Sequence, residues 1–173
     1  MLIHLLVLFS LIFSSSTKLQ PANSNPDFTG TWNARIVADP NAPIQQLKIS
    51  YDDPKLEIIR SLVERTSREW KTTGSRNFVF YTDGRGEINV KNGLPTKSVT
   101  KWKGQNVSFS SSSKSKEDGI TINTYESKKW TISEDGQSLV EITETKVSLD
   151  QGYMSPPKPT KLIYARSSSP LPK

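Results

Sequence analysis

Over most of the chain, hydrophobic and polar residues alternate with a period of two. In residues 28–36 (FTGTWNARI), Phe28, Gly30, Trp32, Ala34 and Ile36 fall on one face, with Thr29, Thr31, Asn33 and Arg35 on the other. The stretch LKISY sets Leu47, Ile49 and Tyr51 against Lys48 and Ser50, VSFSS puts Val107 with Phe109, and KLIYAR aligns Leu162, Tyr164 and Arg166. In NFVFY, Phe78 and Phe80 share one side and Val79 and Tyr81 the other, as in a strand covered on both faces. Successive strand side chains point to opposite faces, so this pattern predicts a sheet with one wet face. Turn signals separate the segments: Asp52-Asp53-Pro54, Gly74-Ser75, Asp83-Gly84, Asn92-Gly93, Lys103-Gly104, Asp118-Gly119, Asp135-Gly136 and Gln151-Gly152. Gly and Asn supply the positive φ of tight hairpins. Segments of roughly 7–15 residues, rich in Ile, Val, Thr and aromatics, predict an all-β meander.

Residues 56–70 (LEIIRSLVERTSREW) carry two readings. Leu56, Ile59, Leu62 and Val63 stand near helical spacing, and Asp53-Pro54 is a passable helix start. Leu56, Ile58 and Leu62 equally alternate as a strand interrupted by Arg60, and Asp53-Pro54 is also a hairpin signal. The strand reading is the one adopted.

A meander of this length has two exposed edges unless it closes on itself. Closure requires tilted strands and a packed end. Trp32 faces inward and suits such a plug, and Gly30, one pleat earlier on the same face, leaves room for the ring or for a bend. A cation over the indole face would add about 0.5–2 kcal/mol, and Arg166, inward on the last strand, is the candidate. The expected fold is therefore all-β, a single antiparallel up-and-down barrel of roughly eight to ten strands.

Gly30-Thr31-Trp32 with a late Arg166 resembles the calycin group: lipocalins, fatty-acid-binding proteins and avidins. The chain is similar in particular to small exported bacterial lipocalin-like proteins of unassigned function. These open with [Asp/Asn]-[Phe/Leu]-[Ser/Thr]-Gly-Thr-Trp, here Asp27 to Trp32, and carry a Trp-x-[Ile/Leu]-Ser-x-Asp-Gly-x-x-Leu hairpin, here Trp130 to Leu139. The resemblance covers most of residues 27–166 and implies a calycin-like barrel. The chain departs from secreted lipocalins in lacking a Cys pair. It departs from the fatty-acid carriers in lacking a clear helical lid, since Arg35 to Tyr51 reads as loop and strand.

Composition narrows the chemistry. Leu2 to Phe13 is an apolar run broken only by His4 and Ser10, followed by Ser14, Ser15 and Ser16. A helix needs roughly 20 apolar residues to cross a bilayer, so the run reads as the centre of a secretory signal, residues 1–16. Residues 17–26 then form a polar linker, 27–166 the barrel domain and 167–173 a loose tail. The expected location is the bacterial periplasm or the extracellular space, with no transmembrane segment in the mature chain. There is no Cys, and the single His, His4, lies in the signal. Thiolate nucleophiles, disulfides, Cys/His zinc sites and Ser–His or Cys–His catalysis are thereby excluded from the mature chain. The reading accordingly names no catalytic residue, metal or cofactor. A calycin-like isomerase using one cavity carboxylate or Tyr as base is the remaining enzymatic alternative.

Two functional readings follow. In the first, Trp70, Trp102 and Trp130 line an interior that binds a small, mostly apolar or amphipathic ligand. In the second, the barrel is filled and a basic outer face meets an anionic surface, glycan or protein. Its candidates are Lys97, Lys101 and Lys103, joined by Lys114, Lys116, Lys128 and Lys129, in a chain of formal charge +6. Such lysines also guard an exposed strand against edge pairing. Export argues against a nucleic-acid partner. No pattern in the chain encodes an oligomeric state.

Overall fold

The structure is a computed structural model that describes residues 25–35, 42–66, 69–154 and 159–167. The expected signal, most of the linker, Ile36 and most of the tail lie outside these residues.

Every regular element among the described residues is a strand. In chain order they are β1 (Gly30–Arg35), β2 (Ile44–Asp52), β3 (Lys55–Arg65), β4 (Trp70–Tyr81), β5 (Glu87–Lys91), β6 (Leu94–Lys103), β7 (Asn106–Glu117), β8 (Ile120–Ile132), β9 (Ser138–Leu149), β10 (Gly152–Tyr153) and β11 (Thr160–Arg166). They form one antiparallel sheet in the order β4-β3-β2-β1-β11-β9-β8-β7-β6-β5, with the short β10 beside β9. The first and last strands pair, with Trp32 opposite Arg166 and Asn33 opposite Ala165. The result is a nearly closed up-and-down barrel.

Closure differs from the expectation in one respect. The ladder that is missing is the one between β4 and β5, in the middle of the chain. Side chains clasp this seam instead. Asn89 on β5 accepts from the Val79 amide at 2.9 Å and donates to the Val79 carbonyl at 2.8 Å, as an opposed strand residue would. Glu87 accepts from the Tyr81 amide at 3.3 Å, and Arg76 donates to Asn92.

Residues 55–65 are strand, so the helical alternative for this segment is set aside. Leu56, Ile58 and Arg60 fall on the inward face of β3, where Arg60 is partnered by Glu141. Gly74-Ser75, expected as a turn, lies inside β4. The register with β3 runs Arg60↔Arg76 and then Leu62↔Thr73, so β4 carries one extra residue. Gly74 has φ +61°, the left-handed conformation that lets glycine absorb a bulge without ending the strand. The Asn92-Gly93 and Asp118-Gly119 signals do make tight turns, both residues of each having positive φ.

The interior core gathers Phe28, Trp32, Leu47, Ile49, Leu56, Ile58, Val107, Phe109, Trp130, Leu139 and Tyr164. All come from inward positions of the alternation. Ala42, Ile44 and Val63 are also buried but stand outside this cluster, on the opposite side of the sheet.

Candidate functional site: a charged belt above an apolar floor

One end of the barrel is sealed by aromatics. The Trp32 indole is fully buried and donates to the Phe28 carbonyl at 2.9 Å. The Arg166 guanidinium lies over the Trp32 ring, 4.4 Å from its centroid, and donates to the Asp27 carbonyl at 3.0 Å. Gly30 has φ +134°, and a Cβ there would stand 3.7 Å from Arg166 Nη1. The glycine therefore serves the backbone conformation first and the close approach of Arg166 second. Trp102 extends the seal: its ring centroid is 5.6 Å from that of Phe28, and its Nε1 donates to the Tyr51 hydroxyl at 3.2 Å.

Above this seal lies a cavity of about 380 Å³, within the range of roughly 300–1,000 Å³ usual for ligand pockets. Its floor is apolar, made by Ile58 on β3, Phe78 and Phe80 on β4, Phe109 on β7 and Trp130 on β8. Phe109 is set edge-on between Phe80 and Trp130, at 5.0 Å from each ring centroid. Toward the other end the wall becomes charged, with four cations, Arg60, Arg76, Lys91 and Lys128, and two carboxylates, Glu126 and Glu141.

These groups form a belt across the barrel. Glu141, on β9, accepts from Arg60 Nη2 at 2.8 Å and from Trp130 Nε1 at 2.8 Å, with Lys128 Nζ at 3.6 Å. Glu126, on β8, meets Lys91 Nζ at 2.5 Å and Lys128 Nζ at 3.6 Å. Lys128 thus joins the two carboxylates. Arg76 donates to Asn92 and meets no carboxylate among the described residues.

Burial alone would raise the Glu141 carboxyl. Lys128 and Arg60, with the Trp130 hydrogen bond, outweigh it and hold the group below the ordinary glutamate value. Burial likewise opposes Glu126, and Lys128 and Lys91 outweigh it in the same direction. For Lys128 burial prevails: the ammonium is lowered despite Glu141, with Arg60 repelling it. Burial and the neighbouring Glu141 charge raise Tyr164, whose hydroxyl donates to Gln45 Oε1 at 2.9 Å. At neutral pH both carboxylates are ionised, and Arg60, Arg76 and Lys91 outnumber them by one before Lys128 is counted.

Of the three tryptophans expected to line the interior, Trp130 lines the cavity, Trp102 lies in the seal, and Trp70 lies on the outer side of the sheet. Trp70 shares a face with Thr72, the register partner of Val63, and has the Arg35 guanidinium 5.9 Å from its ring centroid. Lys97, Lys101 and Lys103 are all exposed on β6, while Thr96, Ser98 and Thr100 are buried on its inner face. Lys128 leaves the outer stripe and points inward.

The belt escaped sequence reasoning because each member looks ordinary alone. The available signal was phase: Arg60 falls in step with Leu56 and Ile58, Glu141 with Leu139, and Lys128 with Trp130. Charged residues in step with core residues must be partnered or face a cavity. Among the described residues there is no group of three or more acidic side chains able to hold a metal ion, and no helix long and apolar enough to cross a membrane.

No family model matches the chain, and no curated protein matches it. The crystal structure of secretory abundant heat soluble protein 4 from Ramazzottius varieornatus is similar to it, with a TM-score of 0.43 and 12% sequence identity over 80% of this chain and 94% of that one.

Proposed function

We propose that the chain is an exported, non-enzymatic binding protein that holds an amphipathic organic anion inside its barrel. The observation that carries this reading is the excess of cations in a belt directly above an aromatic floor. Arg76 is exposed in the cavity wall and meets no carboxylate among the described residues, so it is open to an anionic head group while an apolar body covers the floor. Apolar burial supplies roughly 25 cal/mol per Å². Arg76 and Lys91, on the two strands that flank the seam, are the groups proposed to orient the head.

The binding reading also fits the state of the carboxylates. Glu126 and Glu141 are engaged in ion pairs and held in the charged form, which makes them poor proton donors at neutral pH. Export rests on the Leu2–Phe13 run and predicts a mature protein starting near Ser16, which mass measurement of the secreted chain checks.

Titration calorimetry with decanoate and with decanol tests the ligand class. Decanoate is expected to bind and to quench Trp130, with decanol much weaker. Arg76→Ala should weaken decanoate roughly ten- to hundred-fold, the worth of a hydrogen bond to a charged group, and leave decanol unchanged. Equal binding of the two, or binding of neither, would reject the reading.

A further inference from the structure

The outer wall formed by β5 to β8 has a composition unlike the rest of the barrel. Registers align its outward positions in rows. Ile88, Lys97, Ser112 and Tyr125 form one row across four strands, and Val90 stands opposite Pro95 in the next. Along these strands the outward alternation presents Lys97, Lys101, Lys103, Lys114, Lys116 and Lys129 and no carboxylate among the described residues. Asp83, beside Lys101, is held by Arg85, and Glu144, opposite Ser127, lies on the neighbouring strand β9. Set among the lysines are large apolar side chains open to solvent: Ile88 is 68% exposed, Val90 63% and Tyr125 52%. Between them Lys97, Lys114, Ser112 and Asn123 edge a shallow dent. None of these residues lines the interior cavity.

We infer that this wall docks on an anionic lipid surface, with Lys97 and Lys114 meeting head-group phosphates and Ile88 and Val90 entering the acyl boundary. The pairing of cations with protruding aliphatic groups is what separates this partner from a merely acidic one. Lysines draw the wall to a negative bilayer, and exposed apolar area gains only where it leaves water. A soluble polyanion would leave Ile88 and Val90 wet. The inference is independent of the interior ligand, since the two faces share no residue.

Flotation of the full chain with vesicles tests it, using equal parts phosphatidylglycerol and phosphatidylcholine against phosphatidylcholine alone. The chain should float with the anionic vesicles only, and the bound fraction should fall steeply as salt is raised past about 0.1 M, where charges are screened beyond about 10 Å. Lys97→Glu with Lys114→Glu should abolish flotation. Ile88→Ser with Val90→Ser should reduce it several-fold even at low salt. Because these positions face solvent, circular dichroism should be unchanged. The Ile88→Trp variant gives a second readout: relative to the parent, its added fluorescence should shift to the blue on anionic vesicles. Equal flotation on both vesicles, no flotation at low salt, or an unshifted signal from the Ile88→Trp variant overturns the inference. So does a dimer that dissociates on Ile88→Ser, since the patch would then cover a second copy.

Discussion

Glu141 and Glu144 lie on the same strand and have opposite surroundings. Glu141 is 3% exposed and bound to Arg60 and Trp130, whereas Glu144 faces outward opposite Ser127. Removing one partner of a buried pair strands the other charge, at about 3–5 kcal/mol. Chemical denaturation should therefore show Glu141→Gln strongly destabilised and Glu144→Gln within about 0.5 kcal/mol of the parent. Acid acts through the same groups. The folded-state values of Glu126 and Glu141 lie below their unfolded value of 4.5, so their contribution is complete above pH 4.5 and is lost as pH falls through the depressed values. A stability profile flat through this acid range would contradict the belt. At the sealed end, Trp32→Ala should cost about 3–5 kcal/mol, as large core truncations do. The Trp32 site was legible in advance because alternation puts Gly30 and Trp32 on the inward face of the first strand and Arg166 on that of the last. Glu141 was not, since a single Glu in an alternating strand becomes informative only when the opposite wall is known.

Strands were the most legible element, because alternation reports directly which side chains face water. Even Arg60, an apparent break in the pattern of β3, keeps its phase. Gly74 shows where this reading fails. A Gly-Ser pair serves a turn or a bulge equally well, and only the partner register of β3 selects the bulge. The seam is the second case. Asn89 reads as an ordinary polar residue of β5, yet its carboxamide takes the place of a ladder residue against Val79. Two net hydrogen bonds contribute about 1–3 kcal/mol together. Asn89→Ala should lose that amount and accelerate hydrogen exchange at the Val79 amide, while amides in the β7–β8 ladder stay protected. Uniform protection across β4 in the variant would show that the clasp is dispensable.

At the scale of the whole molecule, the ring of strands makes one wall answer another. The cavity wall draws on β2 to β9 and on β11, so a ligand filling it would bridge strands from all round the barrel. Ligand binding should therefore raise global stability by mass action, about 2.7 kcal/mol at a hundred times the dissociation constant. Thermal unfolding with decanoate should rise accordingly in the parent and much less in Arg76→Ala. A ligand-independent midpoint would mean that the cavity is not the site. The sequence by itself determined the all-β class, most of the strands, the sealing Gly30-Trp32-Arg166 set and the lysines of β6, because each depends on local periodicity or on position along the chain. Only the tertiary structure decided that β4 and β5 form the seam, that Trp70 lies outside, and that Arg60, Lys128 and Glu141 meet. Those outcomes depend on contacts between strands far apart in the chain, and a charge reveals its function only through the partners that the closed ring brings to it.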